Sequence, residues 1–303
     1  MEKMPTLTIF TPTYNRKHTL IRTFQSLQNQ TCKDFEWLIV DDGSKDHTDE
    51  LIEQWKTEAD GFQIRYIYKE NGGMHTAHNV AYAAIHTELN VCVDSDDAMP
   101  ENAVQTILEF WEKHKTPEIG GIVALDSDFG GKVIGNELPT GVQKASTEKL
   151  ASYYHITGDK KYIYRTSVMQ EIPAYPEFPG EKLVPLSYKY LLAAQKYDML
   201  LLNKVVCLVD YQPDGSTNTI YRQYLQSPRG FAAQNAIRMQ YSTSRITRIK
   251  SIIHYVADHR IAKDGRCLQD SPRKLATVLL YPLGMLFEQY IYYVNRKREN
   301  AGL

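Results

Sequence analysis

Four short apolar runs near the start of the chain each discharge into a polar or glycine-rich loop, and this rhythm constrains the fold more than any other feature. TLTIFT at 6–11, FEWLIV at 35–40, IRYIY at 64–68 and LNVCV at 89–93 have the length and the β-branched or aromatic content of buried strands. Between them Leu20, Ile21, Phe24 and Leu27, then Leu51, Ile52 and Trp55, then Ala77, Val80, Ala81, Ala84 and Ile85 recur at helical spacing and predict core-facing stripes. Strands alternating with helices predict βαβ units, a largely parallel sheet and an α/β fold.

In an open parallel sheet, ligands bind beyond the carboxyl ends of the strands. The polar clusters sit there: Thr13-Tyr14-Asn15, Asp41-Asp42-Gly43-Ser44, Asn71-Gly72-Gly73 and Asp94-Ser95-Asp96-Asp97. Three carboxylates within four residues repel one another unless a cation sits among them. A hard divalent ion, Mg²⁺ or Mn²⁺, suits oxygen ligands and shares one or two carboxylates with substrate phosphates. The competing reading is a solvated acidic turn at the start of the helix that follows. For Asp41-Asp42 the alternatives are capping of the next helix or acceptance of hydrogen bonds from a base or ribose. Asn71-Gly72-Gly73 lets backbone approach a ligand, but it has neither the GxGxxG spacing of a dinucleotide site nor a P-loop pattern.

The series TPTYNR (11–16), DFEWLIVDDGSKDHT (34–48), ENGGMHTAHN (70–79) and VDSDDAMPENA (93–103) resembles family 2 glycosyltransferases of the GT-A fold. The resemblance implies a Rossmann-like sheet flanked by helices, and an inverting transferase using a nucleotide-diphosphate sugar, with a UDP-sugar expected. It implies that Pro12, Thr13, Tyr14 and Asp42 contact the nucleoside, that Asn71 and Gly72 line the donor site, and that Asp94 and Asp96 engage ribose and the metal on the diphosphate, Asp96 as the metal ligand. Many relatives carry Lys where this chain has Met74. The family often places its base in a Gly-Glu-Asp sequence; Gly180-Glu181-Lys182 keeps the glutamate, which makes Glu181 the candidate base, against a reading of it as an exposed loop charge paired with Lys182. Without the QxxRW motif of processive polymerases, one transfer per encounter is implied. Glycan or lipid-linked acceptors follow from the same resemblance.

Organisation beyond the motifs is weaker. Residues 1–99 are expected to form the donor half of the catalytic domain, 100–221 the acceptor half, with a helix ending near Trp111 and a strand over GGIVAL, and 222–303 a basic helical extension. YQPDGSTN at 211–218 is either a closing loop, with Asp214 and Arg222 nearby, or an ordinary turn. Residues 222–303 hold fourteen Lys/Arg against five Asp/Glu, a charge of +9 that leaves −10 for residues 1–221. This basic stretch lacks the aromatic and basic interleaving of a nucleic-acid motif, so no nucleic acid is expected. Cys32, Cys92, Cys207 and Cys267 form no CxxC pair and read as reduced thiols. The N-terminus shows no leader pattern, and a cytoplasmic protein is expected.

Leu275–Phe287 is uncharged and apolar character resumes at Tyr290–Val294, between Arg273-Lys274 and Arg296-Lys297-Arg298. Pro282, Gly284 and Glu288 interrupt it, which favours a helix lying on the inner face of a membrane over one that spans. The alternative is a helix that covers the domain or forms a homodimer contact. Two rival functions remain: a sugar-phosphate nucleotidyltransferase, which should open on a basic glycine-rich loop, and a non-catalytic sugar-nucleotide or glycan-binding module.

Overall fold

The computed structural model describes residues 4–210 and 220–300. The expected rhythm is present: β1 (Leu7–Thr13), α1 (Lys17–Gln28), β2 (Phe35–Asp41), α2 (Thr48–Glu58), β3 (Gln63–Tyr68), α3 (Met74–Ala84) and β4 (Leu89–Cys92) follow one another, and then α4 (Ala103–His114) and β5 (Ile119–Ser127). Short elements come next: β6 (Lys144–Ala145), α5 (Thr147–Ser152), β7 (Lys160–Arg165) and α6 (Thr166–Glu171). With β8 (Asp198–Leu208) they complete one eight-stranded sheet of order β3-β2-β1-β4-β7-β5-β8-β6. The first four strands are parallel, and β7 runs antiparallel to both β4 and β5.

β1 lies between β2 and β4, so the chain winds one way through β2 and β3 and then crosses back to β4. That reversal opens a crevice at the carboxyl ends of β1 and β4, where neighbouring loops diverge. Alternation along β1 serves both faces of the sheet: Leu7 and Ile9 join the core under α1, α2 and α4, while the ring of Phe10 meets His78 and Tyr82 of α3 at 5.0 and 5.5 Å. Leu20, Phe24 and Leu27 of α1 are buried as their spacing predicts, but Ile21 is 41% exposed and does not belong to the core.

The chain divides into two compact units. One comprises residues 1–173 and 196–210 and holds the whole sheet, so the boundary expected at 99/100 falls inside it. The other takes residues 174–195 together with the chain after 210, and is helical where described: α7 (Ser187–Ala193), α8 (Ile220–Gln226), α9 (Pro228–Tyr241), α10 (Arg245–Ile261) and α11 (Lys274–Asn300). The run at 211–218, with Asp214, lies outside the described residues. The four cysteines are free thiols, as expected.

One aromatic stack anchors the helix that later supports the site. Phe24 of α1 lies flat against Trp55 of α2 at 4.5 Å and 10°, and near Trp37 of β2 at 6.2 Å and 17°. Offset stacking adds to the burial of three large rings. Phe24→Ala is expected to cost about 3–5 kcal/mol, measured as the shift of the urea unfolding midpoint, because the two tryptophans cannot close the gap without leaving their rotamers.

Candidate active site

Each loop at the carboxyl edge is tied to its neighbour. Asp42 N donates to Thr13 O at 2.9 Å, continuing the ladder past the end of β2. Asn15, whose φ of 53° suits Asn better than most residues, donates from its backbone to Ser44 Oγ and accepts Lys45 N on Oδ1, at 2.9 and 2.8 Å. The Asp41 carboxylate accepts Ser44 N at 2.7 Å and Tyr66 Oη at 2.9 Å. Pro12 and Thr13 are buried, and Thr13 Oγ1 has no hydrogen-bond partner among the described residues. Tyr14 is 46% exposed and presents a ring at the mouth.

Asp42 is the most heavily bonded of the expected site residues. Its Oδ1 accepts Lys69 Nζ at 2.6 Å and Gly72 N at 2.9 Å, and its Oδ2 accepts Asn71 Nδ2 at 2.9 Å and Gly73 N at 2.7 Å. About four acceptor positions are available on a carboxylate, so this one is fully used. Asp42 thereby shapes the loop from Asn71 to Gly73. Gly43 (φ +89°) permits the approach, since a Cβ there would stand 2.9 Å from Asn71 N. Lys69 was not among the residues expected here. It is the cation of this loop, whereas Met74 is an exposed side chain at the start of α3.

The acidic loop after β4 is held from α1. Thr23 Oγ1 donates to Asp97 O at 2.8 Å and Arg22 donates to Asp96 O, while Arg22 also pairs with Asp210 at 3.0 Å and lies over the Phe129 ring. Asp94 and Asp96 are half-buried and Asp97 is buried. Burial, and then the charge of Asp94, push the Asp96 carboxyl up, with Arg16 and Arg22 opposing. Among the described residues no group of three or more His, Cys, Asp or Glu is placed to hold a metal. Asp94 and Asp96 could together offer one or two hard carboxylate oxygens, a number that would suit only a divalent ion taking its remaining ligands from water and a diphosphate.

Beneath this loop lies a buried charge cluster that the sequence reading missed. Lys161 of β7 is 3.5 Å from Asp97 Oδ2, and Cys207 Sγ donates to the same oxygen at 3.6 Å. Burial alone would discharge Lys161, but Asp126 and Asp97 hold it protonated above its ordinary range. Burial pushes Asp97 up to about 7 and Asp126 up to about 6, against the pull of Lys161. Asp126 Oδ1 has no hydrogen-bond partner among the described residues. The available signal was a lysine in KKYIYR, at a position where strand alternation turns inward.

Glu181 belongs to the second unit. It is not an exposed loop charge: its side chain is 9% exposed and its carboxylate accepts Arg229 N at 3.2 Å and Gly230 N at 3.0 Å at the start of α9. Arg229 Nε adds a longer contact at 3.7 Å. These are the donors a helix N-terminus leaves unsatisfied.

Residues 8–168 match the family model of glycosyl transferase family 2, which is more than half of the chain. The chain belongs to that family. An uncharacterised glycosyltransferase of Nostoc is 28% identical over 80% of this chain and 76% of its own length. The alignments with three Rickettsia glycosyltransferases span only 15–24% of their own length. The crystal structure of S. aureus TarS 1–349 in complex with UDP-GlcNAc has a TM-score of 0.57 at 17% identity, covering 98% of this chain and 92% of that one. The mannosyltransferase PcManGT of Pyrobaculum calidifontis, in complex with GDP-Man and Mn²⁺, has a TM-score of 0.56 at 16% identity, covering 95% and 88%. The fold is thus the GT-A glycosyltransferase fold, a mostly parallel sheet flanked by helices.

Asp126 carries a pH signature. Its carboxyl binds a proton more readily folded than unfolded, so its contribution to stability is complete below about pH 4 and is lost as pH rises through about 6. Asp126→Asn is expected to remove this pH dependence, so that between about pH 4 and pH 8 the parent loses about 1–3 kcal/mol relative to the variant, by urea denaturation across that range.

Proposed function

We propose that this glycosyltransferase moves a sugar from a nucleotide-diphosphate donor, a UDP-sugar, onto a glycan or lipid-linked acceptor with inversion at the anomeric carbon. The observation that carries the reading is the edge of the sheet itself. A loop clasped by Asp42, an exposed Tyr14 ring and the half-buried Asp94 and Asp96 all stand at the carboxyl ends of adjacent strands, in a chain whose family match covers those loops. Solved structures of like fold, named as complexes with UDP-GlcNAc or with GDP-Man and Mn²⁺, support a nucleotide-sugar donor and a divalent ion without choosing the nucleotide.

In this reading Tyr14 stacks on the base and Thr13 Oγ1 gains a partner from the nucleoside. Asp42, expected to contact the nucleoside directly, has its carboxylate positions taken by Lys69, Asn71, Gly72 and Gly73, and in this reading acts through the loop it holds, fixing Asn71 and Gly72 against the donor. Asp94 faces the ribose and Asp96 supplies the protein ligand to Mn²⁺ or Mg²⁺. The ion, when bound, stabilises charge that develops on the departing diphosphate. Arg22 and Thr23, bonded to the backbone of Asp96 and Asp97, keep those carboxylates from retreating as the charge grows. Glu181 takes the proton from the acceptor hydroxyl as it attacks the face opposite the leaving group.

Two measurements test the assignment. Asp96→Ala is expected to abolish the Mn²⁺-dependent part of nucleotide binding in calorimetry while the chain stays folded; affinity in Mn²⁺ equal to the parent's sinks the site. Glu181→Gln is expected to keep donor affinity and lower turnover by about 10²–10⁴, since an amide cannot take a proton at neutral pH. The same change removes a negative charge from the α9 N-terminus, for a loss of about 0.5–1 kcal/mol. Stability lost with turnover intact would leave Glu181 as a helix cap alone and move the base to another carboxylate, Asp126, Asp128 or Asp214.

A further inference from the structure

The inward side of α11 mixes polar and apolar groups: Thr277, Gly284, Glu288, Asn295 and Ile291 are buried, and Leu280, Tyr281 and Phe287 pack against buried clusters of the same unit. Each polar group finds a partner there. Thr277 Oγ1 bonds Ser271 Oγ and Arg273 O, Glu288 Oε2 accepts Arg260 Nε of α10, and Asn295 Nδ2 donates to Tyr221 O and Ile291 O. Gly284 permits the close fit, since a Cβ there would stand 2.4 Å from Val256 Cγ1.

The outward positions are apolar. Leu275, Val278, Leu279, Leu283, Met285, Leu286, Tyr290 and Tyr293 are all between 42% and 76% exposed. Successive members are mostly three or four residues apart, so they form one stripe along the helix. The glutamate that breaks the apolar run in the sequence is turned inward, so the stripe carries no charge from Leu275 to Tyr293. Basic residues bound it at both ends: Arg273 and Lys274 before, the exposed Arg296 and Lys297 after. An uncovered apolar face of this length marks an interaction surface.

We propose that this face of α11 lies flat in the surface of an anionic phospholipid bilayer, with the leucines and Met285 at the acyl boundary and the tyrosines and basic ends among the headgroups. Among the described residues no helix is long and apolar enough to cross a membrane, which leaves lying on it. Charge selects lipid over a second copy of the chain. Pairing α11 with itself sets basic end against basic end whether the helices run parallel or antiparallel, whereas anionic headgroups neutralise both. The inward ties at Thr277, Glu288 and Asn295 fix the roll of the helix, so the apolar face is presented in advance instead of being ordered on contact. This inference stands on the second unit alone and is independent of the donor-site assignment.

The test is flotation of the full-length chain with phosphatidylcholine vesicles, with and without phosphatidylglycerol, beside analytical ultracentrifugation. The parent is expected to float with anionic vesicles and to be released by raised salt. Leu279→Glu/Leu286→Glu is expected to lose binding by about tenfold or more while keeping its thermal midpoint and nucleotide affinity. Arg296→Gln/Lys297→Gln is expected to weaken the preference for anionic lipid. Failure to float, flotation indifferent to the two glutamates or to lipid charge, or a lipid-indifferent dimer that the glutamates split, each overturns the proposal.

Discussion

Negative charge gathered at one edge of a parallel sheet has to be compensated on the spot, and much of the architecture around this edge does that. Asp42 is neutralised by Lys69 and by two backbone N–H groups, and Asp97 by Lys161 and a thiol. The cations come from elements that the sheet order brings alongside: Lys69 from the end of β3, Lys161 from the antiparallel strand β7. Breaking a buried pair of this kind by removing one partner leaves an uncompensated charge, which costs far more than the pair contributes in place. The loops are therefore not independent appendages. Asn15 reaches the Asp42 loop, which reaches Asn71, and Arg22 and Thr23 grip the loop after β4 from a helix that is itself clamped by stacked tryptophans.

The parts of this arrangement that were legible in the sequence are those written in local spacing. Short apolar runs located the first four strands and helical spacing the three helices between them, and the polar residues following each strand were seen to gather at one edge of the sheet. Ile21 shows where the rule fails: it sits at helical spacing with Leu20 and Phe24 but points off the buried stripe. Lys69 and Lys161 were not legible because their partners lie 27 and 64 residues away in sequence. A lysine in a strand reads as a solvated charge until the pairing of β7 with β4 and β5 shows what it faces. Glu181 was found as a residue but not in its setting, since the N-terminus it caps belongs to a helix 48 residues on. The same distance explains why residues 174–195 read as part of the catalytic domain yet pack with the C-terminal helices.

The C-terminal helix presents the complementary problem. Its apolar character and basic flanks were visible, but composition does not state which face turns inward. Burial normally resolves that in favour of the apolar side. Here Arg260 and the backbone acceptors of Tyr221 and Arg273 meet Glu288, Asn295 and Thr277, so these polar groups share the interior with Leu280, Tyr281, Phe287 and Ile291. A salt bridge and satisfied amides of this kind contribute modestly to stability but strongly to orientation, because any other roll would leave them buried and unpaired.

Compensation at the sheet edge is also selective, and that selectivity bears on catalysis. Arg22 comes to Asp96 through the backbone carbonyl and spends its other nitrogen on Asp210, and among the described residues neither the Asp94 nor the Asp96 carboxylate has a Lys or Arg within ion-pair distance. Their neighbour Asp97, one residue on, has Lys161. Asp42 and Asp97 thus each have a lysine of their own, whereas burial and the charge of Asp94 push the Asp96 carboxyl up, opposed by the fields of Arg16 and Arg22. On the reading proposed above, a divalent cation arriving with a diphosphate would lie against these carboxylates, and donor and metal binding would be coupled through Asp96, while Thr23 and Arg22 hold the loop through main-chain atoms.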